Sequence, residues 1–173
     1  MVVTPFAVVY ADPPWKFKDS LPGPKRGAAK HYPTMTPFEL KTMDLPPIAT
    51  DAVLFLWRVA SMQTEALAVM TTWGFTCKSE LVWRKQTVNG KRWFGMGRIV
   101  RMEHEVCLVG TRGRPTKRAN NVRSVFDAVN YGHSEKPEAM YAIIESLYPG
   151  PYVELFARYA RSRPEWAFEG DEK

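Results

Sequence analysis

The sequence predicts an α/β fold with a mainly parallel sheet flanked by helices. Short, continuously apolar runs recur along it: FAVVYA (6–11), AVLFLW (52–57), HEVCLVGT (104–111) and YVELFA (152–157). Runs of this kind read as buried strands. Segments with helical spacing lie between several of them, and strands that alternate with helices build layered domains around parallel sheets. The chain has 173 residues, 45% of them hydrophobic, which is the size of one domain with a real core; a single domain over 1–173 is expected.

The first strand, 6–11, stops at Asp12-Pro13-Pro14-Trp15, because proline lacks the N–H that a strand ladder needs. Residues 16–33 hold Pro22, Gly23, Pro24, Gly27 and Pro33 and read as a mobile loop. Thr36-Pro37-Phe38-Glu39 is a capping box with proline at the first helical position, so a short helix follows. The strand at 52–57 leads into a helix from Ser61 to Trp73, with Met62, Ala66, Met70 and Trp73 on one face and Gly74 as the stop. FTCKSELVW (75–83) is the next strand. Asn89-Gly90 marks a hairpin turn in the irregular stretch 84–101, with Lys91, Arg92 and Trp93 near its tip. After the strand at 104–111 comes a basic loop, 112–123, and SVFDAV (124–129) is a strand or a turn. Pro137 opens a helix whose face carries Met140, Ile144 and Leu147, ended by Pro149-Gly150-Pro151. The strand at 152–157 and an edge strand in EWAFEG (165–170) complete the chain.

The formal net charge is +6. Eleven basic residues lie between Arg84 and Arg123, against only Glu103 and Glu105. A second group, Lys16, Lys18, Lys25, Arg26 and Lys30, is opposed by Asp19 alone. Clusters of one sign in loops point to a polyanion, and nucleic acid is the obvious one. Cys77 and Cys107 are the only cysteines, which fits a reducing cytoplasm, and neither has metal-ligand spacing, so no metal site is expected. No run of 18 apolar residues and no secretory signal are seen, so no membrane partner is expected. There is no G-x-G-x-x-G after a strand and no G-x-x-x-x-G-K-[ST], which argues against the usual dinucleotide site and excludes a P-loop.

In parallel sheets ligands bind at the carboxyl ends of strands, where Asp12 and Arg158 both lie. An exocyclic amino group on a nucleobase is a poor nucleophile because its lone pair is delocalised into the ring. Acceptors for both its hydrogens draw the nitrogen toward a tetrahedral geometry. Asp12 supplies one acceptor, and the rigid corner allows the Pro13 carbonyl to supply another. Trp15 offers a flat face for a base. A plain Asp-Pro turn with a core tryptophan is the alternative.

The residues FAVVYADPPW (6–15), HYPTM (31–35), VLFLW (53–57), WGF (73–75), ELVWRK (80–85), EHEVCLVG (103–110), HSEKPEAMYAIIESLYPGPYVELFAR (133–158) and PEWAFEGDE (164–172) resemble, in order, the N6-adenine methyltransferase family that includes the catalytic subunit of the eukaryotic messenger-RNA methyltransferase. The resemblance implies a Rossmann-like, S-adenosylmethionine-dependent methyltransferase fold with permuted motif order, the acceptor motif first and the cofactor-contacting region largely last. It implies transfer of the sulfonium methyl to adenine N6. Asp12, Pro13, Pro14 and Trp15 match the acceptor motif, whose acid also lies near the cofactor's amino group. Lys136 matches a lysine that meets the cofactor carboxylate; Glu154 and Arg158 match positions at its ribose. His133 precedes the same helix as Lys136, where capping and a direct role are equal readings. Where relatives often carry Gly-Asn-Glu or Gly-Asn-Gln, this chain has Gly170-Asp171-Glu172, so an amide is replaced by a carboxylate at Asp171, and Glu172 is the better match. Tyr32 matches an aromatic near the target base. Trp57 and Glu80 match pocket positions, although a strand-end tryptophan and a surface glutamate are ordinary features too.

Loops 16–31 and 84–101 correspond to family loops beside the active site, and Lys16, Lys18, Lys91 and Arg92 are placed to grip phosphates. The compact chain resembles bacterial and phage members, so DNA is favoured over RNA, with loose sequence preference or specificity supplied by the mate in a homodimer. A non-catalytic nucleic-acid-binding subunit on the same fold and a cytosine N4 methyltransferase are the competing readings.

Overall fold

The structure, a computed structural model, describes residues 4–16, 33–97, 99–132, 135–158 and 163–170. Among them seven strands form one sheet: β1 Phe6–Ala11, β2 Ile48–Arg58, β3 Thr76–Gln86, β4 His104–Arg112, β5 Val125–Val129, β6 Tyr152–Leu155 and β7 Trp166–Glu169. Three helices accompany it, α1 Pro37–Thr42, α2 Gln63–Thr72 and α3 Ala139–Leu147. The strand order is β5-β3-β4-β2-β1-β6-β7. Every neighbouring pair is parallel except those made by β4, which runs antiparallel to both β2 and β3.

Alternation along the strands sends side chains to two separate cores. Val9, Ala11, Leu54 and Leu56 face α1 and α2, where Ala66, Val69 and Met70 meet them. Val8, Tyr10, Phe55 and Trp57 face α3, where Met140, Tyr141 and Ile144 meet them. Burying each such side chain is worth roughly 1.5–3 kcal/mol, so the central strands hold the sheet rigid under whatever sits at its end.

Local signals explain the helix ends. Thr36 accepts from the Glu39 N–H at 3.2 Å, while the Glu39 carboxylate accepts from the Thr36 N–H at 2.6 Å. Trp73 closes α2 and donates its indole N–H to the Leu40 carbonyl at 2.8 Å, tying α2 to α1. Gly74 then turns the chain at φ +85°, where a side chain would be strained.

Several elements depart from their sequence patterns, among them β2, which begins at Ile48 and not at 52. β3 continues to Gln86 because its polar end pairs with β5, with Arg84 clamping Asp127 through Nε and Nη2 at 2.5 and 2.6 Å. This also resolves 124–129 as a strand rather than a turn. β6 ends at Leu155 instead of 157, because Phe156 takes φ 63° and leaves the ladder. The helix expected from Ser61 begins with a tighter turn at Ala60–Met62. The loop expected at 16–33 falls mostly outside the described residues.

Several basic residues of 84–123 are engaged internally. Besides Arg84, Arg112 donates to the Ile48 carbonyl at 2.7 Å and Arg118 to the Glu145 carbonyl at 3.2 Å. The cationic surface is therefore narrower than the sequence implies. No helix among the described residues is long and apolar enough to cross a membrane.

Candidate active site

Register decides which residues meet. Ala11 is aligned with Leu56 of β2 and Leu155 of β6, so the residues that follow these strands emerge side by side. Because β4 is reversed, its beginning lies at this same edge, with Val106 opposite Arg58 and Glu105 opposite Trp83. Asp12, Trp57, Glu105 and Arg158 are thereby brought together from four strands, and Lys136 reaches in from the segment before α3.

The corner after β1 is stitched on both sides. The Trp15 N–H donates to the Pro13 carbonyl and the Met35 N–H to the Pro14 carbonyl, both at 2.8 Å; the Lys16 N–H donates to Met35 at 2.8 Å. Trp15 donates its indole N–H to the Trp57 carbonyl at 3.0 Å and is only 3% exposed. It is thus a buried wall of the corner, and the open stacking face expected from the sequence is not presented. The Pro13 carbonyl keeps its second lone pair beyond the turn it closes.

Five charged groups then alternate in sign. Lys85 contacts Glu105 at 2.5 Å, Glu105 contacts Lys136 at 3.2 Å, Lys136 contacts Asp12 Oδ2 at 2.8 Å, and Arg158 approaches the same oxygen at 3.6 Å. Lys136 also stands 5.2 Å over the Trp57 ring. Burial by itself favours neutral Lys136, but the carboxylates of Asp12 and Glu105 override it and hold its pKa above the ordinary 10.5. Burial likewise pushes Glu105 up, and Lys136 and Lys85 outweigh that, holding it at about 2. Trp57 is 1% exposed and donates its indole N–H to the Tyr10 hydroxyl at 2.9 Å. Burial, reinforced by Tyr141, keeps Tyr10 a neutral phenol. The floor under the charges is therefore fixed.

A cavity of about 490 Å³ opens above them, lined by the Asp12–Trp15 corner, Trp57, Glu105, Lys136, Arg158 and an overhanging segment that includes Trp93 and Met102. That volume suits a nucleoside-sized ligand. Lys16 is exposed just past the corner, and Lys91 and Arg92 are exposed at the hairpin closed by Gly90 beyond the cavity mouth. Glu154 stands on β6 and accepts from the Tyr141 hydroxyl at 2.6 Å, outside the cavity wall. Glu80 is not at this site. It pairs opposite Leu108, which pairs with Leu56 and so stands level with Ala11, but it is three strands across from the corner and lines a second cavity of about 480 Å³ beside β3 and β4. At about 4.8 Å per strand, three strands put it some 14 Å to the side of that corner. Tyr32, Lys18, His133, Asp171 and Glu172 lie outside the described residues.

Sequence reasoning missed Glu105 and Lys85 as site members. Glu105 reads as one acid in a basic stretch, and only the antiparallel pairing of β3 with β4 puts it beside Lys85 and Lys136.

The MT-A70 family model matches residues 6–172. The putative N(6)-adenosine-methyltransferase MT-A70-like of Medicago truncatula is 32% identical over 171 residues, covering 96% of this chain and 26% of that protein. The N(6)-adenosine-methyltransferase catalytic subunit METTL3 of Homo sapiens is 31% identical over 177 residues, 96% of this chain and 28% of its own length. The type II methyltransferase M.MunI of a Mycoplasma species is 34% identical over 174 residues, 88% of this chain and 72% of M.MunI. The chain thus spans about a quarter of the N6-adenosine methyltransferases and most of M.MunI. With a mixed sheet, an Asp-Pro-Pro-Trp corner at its carboxyl edge and a match over nearly its whole length, the chain belongs to the MT-A70 methyltransferase family.

Proposed function

We propose that this chain is an S-adenosylmethionine-dependent methyltransferase that acts on the N6 amino group of adenine in nucleic acid, DNA ahead of RNA. The Asp12–Lys136 pair at 2.8 Å, set at a proline-fixed corner inside a nucleoside-sized cavity, is the observation that carries this reading. The donor set fits the cofactor: an amino acid end needs an anion and a cation side by side, which Asp12 and Lys136 provide, with Arg158 beyond them. When bound, the cofactor supplies an activated methyl group on a sulfonium.

The protein's part is positioning. Lys136 and Arg158 both approach Oδ2 of Asp12, and among the described residues the hydrogen bond to this carboxylate is the one Lys136 gives Oδ2. Oδ1 and the second lone pair of the Pro13 carbonyl are the acceptors for the two amino hydrogens. Holding both hydrogens localises the nitrogen lone pair and aims it, which is a preorganised electrostatic effect combined with orientation. The proton released on methyl transfer leaves the nitrogen beside that carboxylate. DNA is placed first because the relative matched over most of its own length is a type II methyltransferase.

The test is nucleoside mass spectrometry after expression in a host without adenine methylation. N6-methyladenine in DNA is the expected product. N6-methyladenosine in RNA would move the substrate, N4-methylcytosine would move the base, and no modified nucleoside would overturn the reading.

A further inference from the structure

The segment over the cavity mouth carries the two most exposed large apolar side chains among the described residues, Ile99 at 96% and Met96 at 88%, with Val100 beside Ile99 at 63%. The segment is folded tightly on itself. A Cβ at Gly95 would lie 2.1 Å from the Met102 carbonyl oxygen, and one at Gly97 would lie 1.9 Å from that of Val100. Only glycine permits two backbones to approach this closely. Ile99 and Val100 therefore stand at the tip of a narrow loop whose base, Trp93 and Met102, walls the cavity. Among the described residues the exposed charges of this segment are positive: Arg101 beside the tip, with its guanidinium 5.1 Å over the Phe94 ring, and Lys91 and Arg92 at the hairpin that leads into it.

We infer that Ile99 and Val100 form a wedge that enters the base stack at the gap left by the extruded adenine. This rests on the nucleic-acid reading above. An adenine that reaches Asp12 must leave its stack and pass this mouth, so its neighbours lie across the loop. Apolar side chains at that place cover base faces that extrusion would otherwise expose to water, as inserted side chains do in other nucleic-acid complexes. Cations flanking the tip meet the phosphates on either side of the gap. This charge arrangement selects a nucleic acid over a second copy of the same basic chain.

The experiment compares methylation of one adenine in two settings, fully paired in a duplex and placed in a single-nucleotide bulge, where the stack is already breached. Ile99→Ser with Val100→Ser should cut kcat/KM on the duplex by about tenfold or more while changing the bulge by less than about twofold. Ile99→Phe in the Val100 background should keep duplex activity, because a larger apolar group still fills the gap. Equal losses on both substrates, or loss on neither, would overturn the wedge, as would a wild-type protein active on the bulge alone. Sedimentation velocity adds one arm: a wild-type dimer that the serine variant dissociates, with equal losses on both substrates, assigns the tip to self-association instead. If the wild type methylates neither substrate, the methyltransferase reading itself fails, and the wedge with it.

Discussion

Two cavities of nearly equal volume, about 490 and 480 Å³, border the sheet, one at the carboxyl edge of β1 and one beside β3 and β4, and only the first looks like a place for chemistry. At the Glu80 cavity the side chains of Lys78, Glu80, Lys117 and Asn120 are exposed. At the Asp12 end the side chains of Asp12 and Lys136 keep 16% and 13% of their surface and hold each other at 2.8 Å. Water screens the first set and largely leaves the second, where an ion pair is strong enough to fix a ligand and costly enough to require partners. Volume alone says little; half-buried charge at the carboxyl edge of the sheet separates the two.

The largest expected effect breaks that comparison outright if it fails. Asp12→Ala should lower methyl transfer by at least about 1000-fold, because the acceptor for the amino group is gone. Glu80→Ala, at the other cavity, should leave the rate within about twofold. Both are read by incorporation of labelled methyl groups, with circular dichroism confirming that each variant is folded. Equal losses would mean that the Glu80 cavity belongs to the working site after all.

Lys136→Met comes next. It keeps length and removes the charge that faces the cofactor carboxylate, so cofactor affinity measured by calorimetry should fall about 10- to 100-fold. The fold should survive, since Arg158 still stands by Asp12 and Lys85 by Glu105. Unchanged affinity would remove the cofactor role from Lys136 and leave the charge chain purely structural. Further out, Lys91→Glu with Arg92→Glu tests the rim instead of the pocket. Nucleic-acid affinity should drop and its dependence on log salt should become shallower by about 2, one for each lost phosphate contact, while cofactor affinity stays as it was.

These residues differ in how far the sequence exposed them. The corner at Asp12–Trp15, the capping box at Thr36 and the turn at Gly90 are local: each is set by a few adjacent residues, and proline, threonine or glycine announces it. The direction of β4 is not local. Its run HEVCLVGT fits a parallel or an antiparallel strand equally well, yet only the reversed direction puts Glu105 at the site edge. Strand order is not local either: Glu80 matches a pocket position and stands level with Ala11, yet β4 and β2 lie between its strand and β1. Trp15 shows the reverse limit. Its type suited stacking, but its indole N–H found the Trp57 carbonyl 42 residues away, and burial followed.

The smallest effect concerns Glu105, the residue the sequence hid. Its carboxyl is held at about 2 against an ordinary 4.5, so between those values the unfolded chain binds a proton that the folded chain does not. The stabilisation is complete above about pH 4.5 and disappears as pH falls through about 2. Glu105→Gln keeps the shape and removes the titration. It should lower stability at neutral pH by about 1–2 kcal/mol, after allowing for solvent screening of a carboxylate that is only partly covered. Urea unfolding midpoints collected from pH 7 downward should slope more steeply for the wild type than for the variant below about pH 4.5, and the two curves should converge toward pH 2. Parallel curves would mean that Lys85 and Lys136 hold Glu105 no better than water does. The Lys85–Glu105–Lys136 part of the chain would then be geometry without energy, and the contrast between the two cavities would rest on Asp12 and Lys136 alone.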